Sequence, residues 1–109
     1  AREGTEELTL VLDEVDAGIG GETALAVGAA IQELGGRHQV LAVTHLAQVA
    51  AQADHHGLLR KSTKAGRTRS DLEWLDDKTR VQELARLLSG HPDRPEARRH
   101  AESLLARKA

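Results

Sequence analysis

Cysteine, methionine, phenylalanine and tyrosine are all missing from this chain, and tryptophan occurs once, at Trp74. Without cysteine there are no disulfides and no thiolate metal sites, which suits a reducing compartment and makes the cytoplasm the expected location. With almost no aromatic residues, the interior has to be built from Leu, Val, Ile and Ala. No apolar run is long enough to span a bilayer, and the opening AREGTEEL carries no apolar segment of the signal-peptide kind, so no membrane partner is expected. Charge of a single sign is lacking as well. A formal net charge of −2 sets up no global field for nucleic acid, and any DNA contact has to come from a local basic patch. Two phosphate-binding patterns are absent too. No G-x-x-x-x-G-K-[ST] loop occurs, and Gly18, Gly20 and Gly21 lack the third spaced glycine of a dinucleotide fingerprint.

What is present fits one domain of 109 residues, a size that buries roughly 60 to 70% of its unfolded surface. Residues 1–7 are polar and read as a surface lead-in. The stretch from Leu8 to Gly21, LTLVLDEVDAGIGG, then runs as an apolar strand over Leu8 to Asp13 and stops in two acids and a glycine-rich turn. Near-continuous apolar runs are the mark of buried parallel strands, whose ligands bind just beyond their carboxyl ends. Asp13 and Glu14 stand at that edge. Adjacent acids there suit phosphoryl transfer from a nucleotide, with Asp13 holding Mg²⁺ through its water shell and Glu14 positioning the attacking water.

Downstream, Glu22 to Leu34 places Ala24, Val27, Ile31 and Leu34 on one helical face, with Gly35 and Gly36 as the stop. Gln39 to Thr44 is a second apolar, β-branched strand. Residues 8 to 44 are therefore expected to form a parallel strand, helix, strand unit, which brings His45 to the same sheet edge as Asp13 and Glu14. A histidine there can donate a hydrogen bond to a terminal phosphate and hold the attacking water near the carboxylate. A short helix marked by Leu46, Val49, Ala50 and Ala53 follows. Asp54, His55 and His56 do not suggest a metal site, because neighbouring side chains diverge and no third ligand follows at a suitable spacing.

Leu58 to Thr63 and Ser70 to Leu75 read as two strands joined by the polar KAGRTR, with Leu72 and Trp74 expected to face inward. Arg60, Lys61, Lys64, Arg67 and Arg69 gather there with no acid before Asp71. Lys61, Lys64, Arg67 and Arg69 are the candidate DNA-phosphate contacts, and a solvated hairpin tip is the plainer alternative. Asp76 or Asp77 can cap a helix striped by Val81, Leu84, Ala85 and Leu88 and ended by Gly90. The triplet Leu88, Ser89, Gly90 copies the start of an ATP-cassette signature but closes a helix instead. Pro95 opens a last helix with Ala97, Ala101, Leu104 and Leu105 on its apolar face.

The strings TLVLDEVDAGIGG, QVLAVTHLAQVAAQADHH and VQELARLLSG together resemble the carboxyl-terminal half of the head of the RecN family, bacterial DNA-repair ATPases of the SMC-like branch of the ATP-binding-cassette group. The resemblance runs from about Glu7 to Gly90. It implies an α/β fold, the carboxyl-terminal lobe of a P-loop NTPase head: a Walker B, D-loop and switch-histidine core over 8–56, a hairpin over 57–75 and terminal helices over 76–109. In those terms Asp13 is the Walker B aspartate and magnesium ligand, Glu14 the catalytic glutamate, and His45 the switch histidine. Asp16, Ala17, Gly18, Ile19, Gly20 and Gly21 make the D-loop, although Gly20 stands where many cassette proteins carry an aspartate. The resemblance further implies ATP and Mg²⁺ as cofactors. Its implied partners are the amino-terminal half of the same head with its Walker A loop, a second head in an ATP-dependent dimer, and DNA of the bacterial nucleoid. A reading of a different class is a non-catalytic DNA-binding or dimerisation module with a relic nucleotide site.

Overall fold

The computed structural model describes residues 7–13 and 18–108. They form a mixed α/β chain: β1 (Thr9–Leu12), α1 (Gly21–Gly35), β2 (Gln39–Ala42), α2 (Ala47–Ala50), β3 (Gly57–Lys64), β4 (Arg67–Trp74), α3 (Asp77–Ser89) and α4 (Pro95–Ala106). Among the described residues no helix is long and apolar enough to cross a membrane.

The first two strands pair in parallel, from Thr9 beside Gln39 to Leu12 beside Ala42. The ladder runs slightly past the strands at both ends, since the Gln39 amide donates to the Leu8 carbonyl and the Val43 amide to that of Leu12, each at 2.9 Å. The helix that connects them starts at Gly20 without a side-chain cap and buries Ala24 and Gly28. That inner stripe differs from the expected one: Leu34 is 40% exposed, whereas Gly28 lies against α2. A β-carbon added at Gly28 would sit 2.9 Å from the Gln48 carbonyl oxygen and 3.3 Å from the Val49 α-carbon. The absence of a side chain is what lets the two helices approach.

Most of the buried apolar groups lie where α2, α3 and α4 meet. Ala47, Ala50, Ala51, Leu84, Ala101 and Leu104 form the cluster, with Leu25, Val81, Leu87, Leu88 and Leu105 packed around it. Helix α3 begins with a reciprocal cap in which the Asp76 carboxylate accepts from the Thr79 amide at 2.8 Å while the Thr79 hydroxyl accepts from the Asp76 amide at 2.9 Å. It ends at Gly90, which takes the left-handed conformation at φ 81°. Ser89 turns back to donate to the Ala85 carbonyl, so Leu88, Ser89 and Gly90 terminate a helix. Pro95 stands in the first turn of α4.

The antiparallel β3–β4 hairpin departs from expectation. Its turn is only Ala65 and Gly66, both at positive φ (54° and 76°), as a tight primed turn requires, and the strands run on to Lys64 and from Arg67. Strand alternation predicts that Leu72 and Trp74 face inward, yet they are 53% and 63% exposed, and Leu59, paired with Leu72, is 62% exposed. Alternation puts these residues on one face, but burial also needs a second layer. The apolar stripe of α3 is already committed to α2 and α4.

The close approach at Gly28 separates two glycines of one helix. Gly28→Ala gains helix propensity of about 1 kcal/mol and loses more by overpacking, typically about 1–3 kcal/mol, because the atom it meets is backbone and cannot swing away. At Gly35 an added β-carbon meets nothing within 4 Å. Gly28→Ala is therefore expected to lower the denaturant midpoint and Gly35→Ala to leave it unchanged or raise it. Equal midpoints for the two variants would show that α1 and α2 do not press on one another.

Candidate functional site

Parallel pairing decides what can meet. Since Leu12 lies beside Ala42, Asp13 falls level with Val43, and His45 emerges two residues further along at the same edge of the sheet. Both are exposed. Asp13 has no hydrogen bond or ion pair among the described residues, so its carboxylate is available to a cation or a water. Glu14, Asp16 and Ala17, the other acid and the first part of the expected D-loop, lie outside the described residues. Gly18, Ile19, Gly20 and Gly21 are described: Gly18 has φ 75°, and the Gly20 carbonyl accepts the first helical bond of α1, from the Ala24 amide at 2.8 Å. Residues 18–20 thus lead directly into the amino terminus of α1.

On the other strand, Thr44 and His45 pass straight into α2. The Thr44 hydroxyl accepts from the Leu46 amide at 3.0 Å, which turns the chain into the helix. Ala47, Val49, Ala50 and Ala51 are all buried, so this short helix is enclosed although the chain enters it from an exposed residue. Its far end is held by Arg80 of α3. One guanidinium nitrogen donates to the carbonyls of Ala50 at 3.0 Å, Ala51 at 3.3 Å and Ala53 at 2.6 Å. These are carbonyls of the kind that a helix end leaves without intrahelical partners. Just beyond, the Lys108 ammonium reaches Asp54 at 2.7 Å and holds that carboxyl below its ordinary range.

Neither Gly28 nor Arg80 stands out in the sequence. A glycine inside an apolar helix is a faint signal of close packing. An arginine beside a helical stripe gives none, because its acceptors lie about thirty residues away.

The hairpin sorts its charges by face. Arg60, Lys64, Arg67 and Arg69 share one side with Asp71 and Glu73, while Lys61 projects with Leu59, Leu72 and Trp74 on the other. Arg60 pairs with Glu73 at 3.0 Å and Arg69 with Asp71 at 3.3 Å. Sequence spacing suggests an uninterrupted basic run, but antiparallel pairing brings the acids back alongside it. Among the described residues Lys61, Lys64 and Arg67 hold no ion pair.

No family model matches the chain. Curated proteins do match it. Over 103 residues, 94% of its length, it is 47% identical to the DNA repair protein RecN of Deinococcus radiodurans. It is 46% identical over a stretch of equal length to that of Streptomyces coelicolor. With the DNA repair protein RecN of Vibrio cholerae the identity is 50% over 82 residues, or 75% of the chain. The chain spans 18%, 18% and 15% of those three relatives.

His56, where α2 gives way to the hairpin, offers a pH test of this region. Burial, with help from the Arg80 cation and against Glu83, holds its imidazole below the ordinary 6.5, and its Nδ1 is buried without a partner among the described residues. Well above pH 6.5 the ring is neutral whether the chain is folded or not. As pH falls below that value the unfolded chain binds a proton that the folded chain resists, so stability declines until the depressed folded value is reached. His56→Gln is expected to flatten urea-midpoint stability over this acid window. An unchanged slope would place the proton uptake elsewhere than His56.

Proposed function

We propose, from the premise that this chain is similar to RecN along nearly its whole length, that it supplies one part of an ATP-binding and ATP-hydrolysing head in a DNA double-strand-break repair protein. The observation that carries the reading is the parallel register of β1 and β2, which sets a histidine and an aspartate without a partner among the described residues at one sheet edge. In this reading Asp13 is the Walker B aspartate, Glu14 the catalytic glutamate, His45 the switch histidine, and residues 16–21 the D-loop. The fold is then the carboxyl-terminal lobe of a P-loop NTPase of the SMC-like kind.

The donor chemistry fits a magnesium ion. An exposed carboxylate with no partner among the described residues suits a hard cation that keeps most of its water. Asp13 would hold it, and a magnesium ion bound there neutralises charge on the nucleotide's phosphates. Glu14 orients the attacking water and takes its proton. His45 donates a hydrogen bond to an oxygen of the terminal phosphate as negative charge builds there.

Partners follow from what the chain lacks and leaves bare. No phosphate-cradling loop occurs in its sequence, so another part of the head has to bring one. Val11, Leu41 and Val43 share the sheet face away from α1 and are 67%, 49% and 53% exposed. Parallel sheets are almost always covered on both faces. An amino-terminal half bearing Walker A covers this one, and a second head completes the ATP-dependent dimer.

The decisive experiment measures ATP affinity and single-turnover rate in a head reconstituted from this chain and a chain that supplies the P-loop. Asp13→Ala weakens Mg²⁺-dependent binding and turnover together. Glu14→Gln preserves binding but slows hydrolysis by about 10² to 10⁴, the usual worth of a positioned base. His45→Ala follows the Glu14 pattern. Hydrolysis by Glu14→Gln at the unmodified rate would remove the catalytic assignment and favour a relic site.

DNA contact rests on the hairpin. Lys61, Lys64 and Arg67 are the stronger candidates, because Arg69 already faces Asp71. Replacing the four with Ala in the assembled head weakens DNA binding, and the logarithmic salt slope becomes shallower by about 0.9 for each duplex phosphate that is no longer neutralised. A slope that does not move would leave the hairpin as plain surface.

A further inference from the structure

Helix α2 contains four residues, too few to persist in water by themselves, since nucleating one turn already costs more than it returns. It nevertheless begins two residues after His45. Whatever fixes α2 therefore fixes the backbone from which that histidine projects. Two contacts do this: α1 presses on Gln48 and Val49 at Gly28, and α3 reaches the carboxyl end through Arg80.

We propose that Arg80 is a positioning residue for His45, acting through α2. This rests on the catalytic reading of His45 given above. The contact runs through the end of the side chain alone. One terminal nitrogen spans three carbonyls, those of Ala50, Ala51 and Ala53, so it restrains both the axial position of α2 and the direction in which the chain leaves it. Among the described residues the guanidinium makes no competing side-chain bond: its Nε is buried without a partner, and Asp77 and Asp54 act on it only through their charge. Arg80 in turn sits one turn into α3, directly behind the reciprocal cap of Asp76 and Thr79 that sets where this helix starts. A fixed helix thus carries a cation that fixes a short one, and the histidine stands two residues before that short helix. Lysine replaces it only in part, because its ammonium is more strongly hydrated and sits on a more flexible stem, so it holds this half-buried position less firmly.

The test is a double-mutant cycle on ATP turnover in the complete assembled head, with Tm followed in parallel. Arg80→Ala is expected to lower kcat by roughly tenfold to a hundredfold, the scale of a misplaced catalytic group, while KM changes by less than about twofold. Added to His45→Ala, it should cost less than about twofold more, because the group it positions is already gone. Arg80→Lys should recover part of kcat. If the Arg80 and His45 losses multiply, Arg80 only stabilises the fold and the proposal fails while the catalytic reading stands. If His45→Ala turns over at the unmodified rate, that reading fails and takes the proposal with it. Should Arg80→Ala not assemble, Arg80→Lys decides: partial kcat at constant KM supports positioning, and unmodified turnover overturns it.

Discussion

Between Gly28 of α1 and the guanidinium of Arg80, α2 is held by contacts to its backbone, with little contribution from large side chains of its own. Ala47, Ala50 and Ala51 offer almost no lateral bulk, so neighbouring elements come close enough for carbonyls and α-carbons to become the contact surface. Leu84, Ala101 and Leu104 close over it from α3 and α4. The parallel pair, the hairpin and the carboxyl-terminal helices are otherwise joined by little. The sheet contacts the rest through α1, and α1 does so chiefly through α2. A small alanine-lined helix is therefore the part through which the sheet edge is tied to the remaining layers.

Much of the sheet edge is legible before any coordinates, because it follows from a short rule. An apolar strand ending in acids, a helix, and a second apolar strand ending in Thr44 and His45 leave little choice if the crossover is parallel, and the observed register brings Asp13 and His45 to one edge. The apolar stripes of α3 and α4 are legible for a similar reason, since both faces find a partner inside the chain. What sequence cannot show depends on partners distant along the chain. Arg80 acquires its role only when α3 comes to lie at the end of α2. The ion pair of Arg60 with Glu73 needs the antiparallel register. Trp74 and Leu72 obey strand alternation and still lie exposed, because a pattern along one strand says nothing about whether a second layer exists.

Two apolar faces outside the core share a property that single exposed leucines lack. Val11, Leu41 and Val43 lie together on one sheet, and Leu59, Leu72 and Trp74 on the other. Contiguous apolar surface of this kind ordinarily marks a site of association, and unpaired strand edges beside it add backbone donors and acceptors in search of partners. Such surfaces make the uncovered chain adhesive.

The Ala65–Gly66 turn fixes more than the hairpin's register. It sets Lys64 directly across from Arg67, and like charges held opposite one another on paired strands repel. Ala65 adds its own resistance, as an L-residue kept at φ 54°. The tip is consequently frustrated twice, once by sterics and once by charge. Only the second can be relieved from outside: dissolved salt weakens the repulsion diffusely, whereas an anion seated between the two cations cancels it at a point. The tip should therefore tighten as ionic strength rises, opposite in sign to the loosening that salt brings to an ordinary surface ion pair.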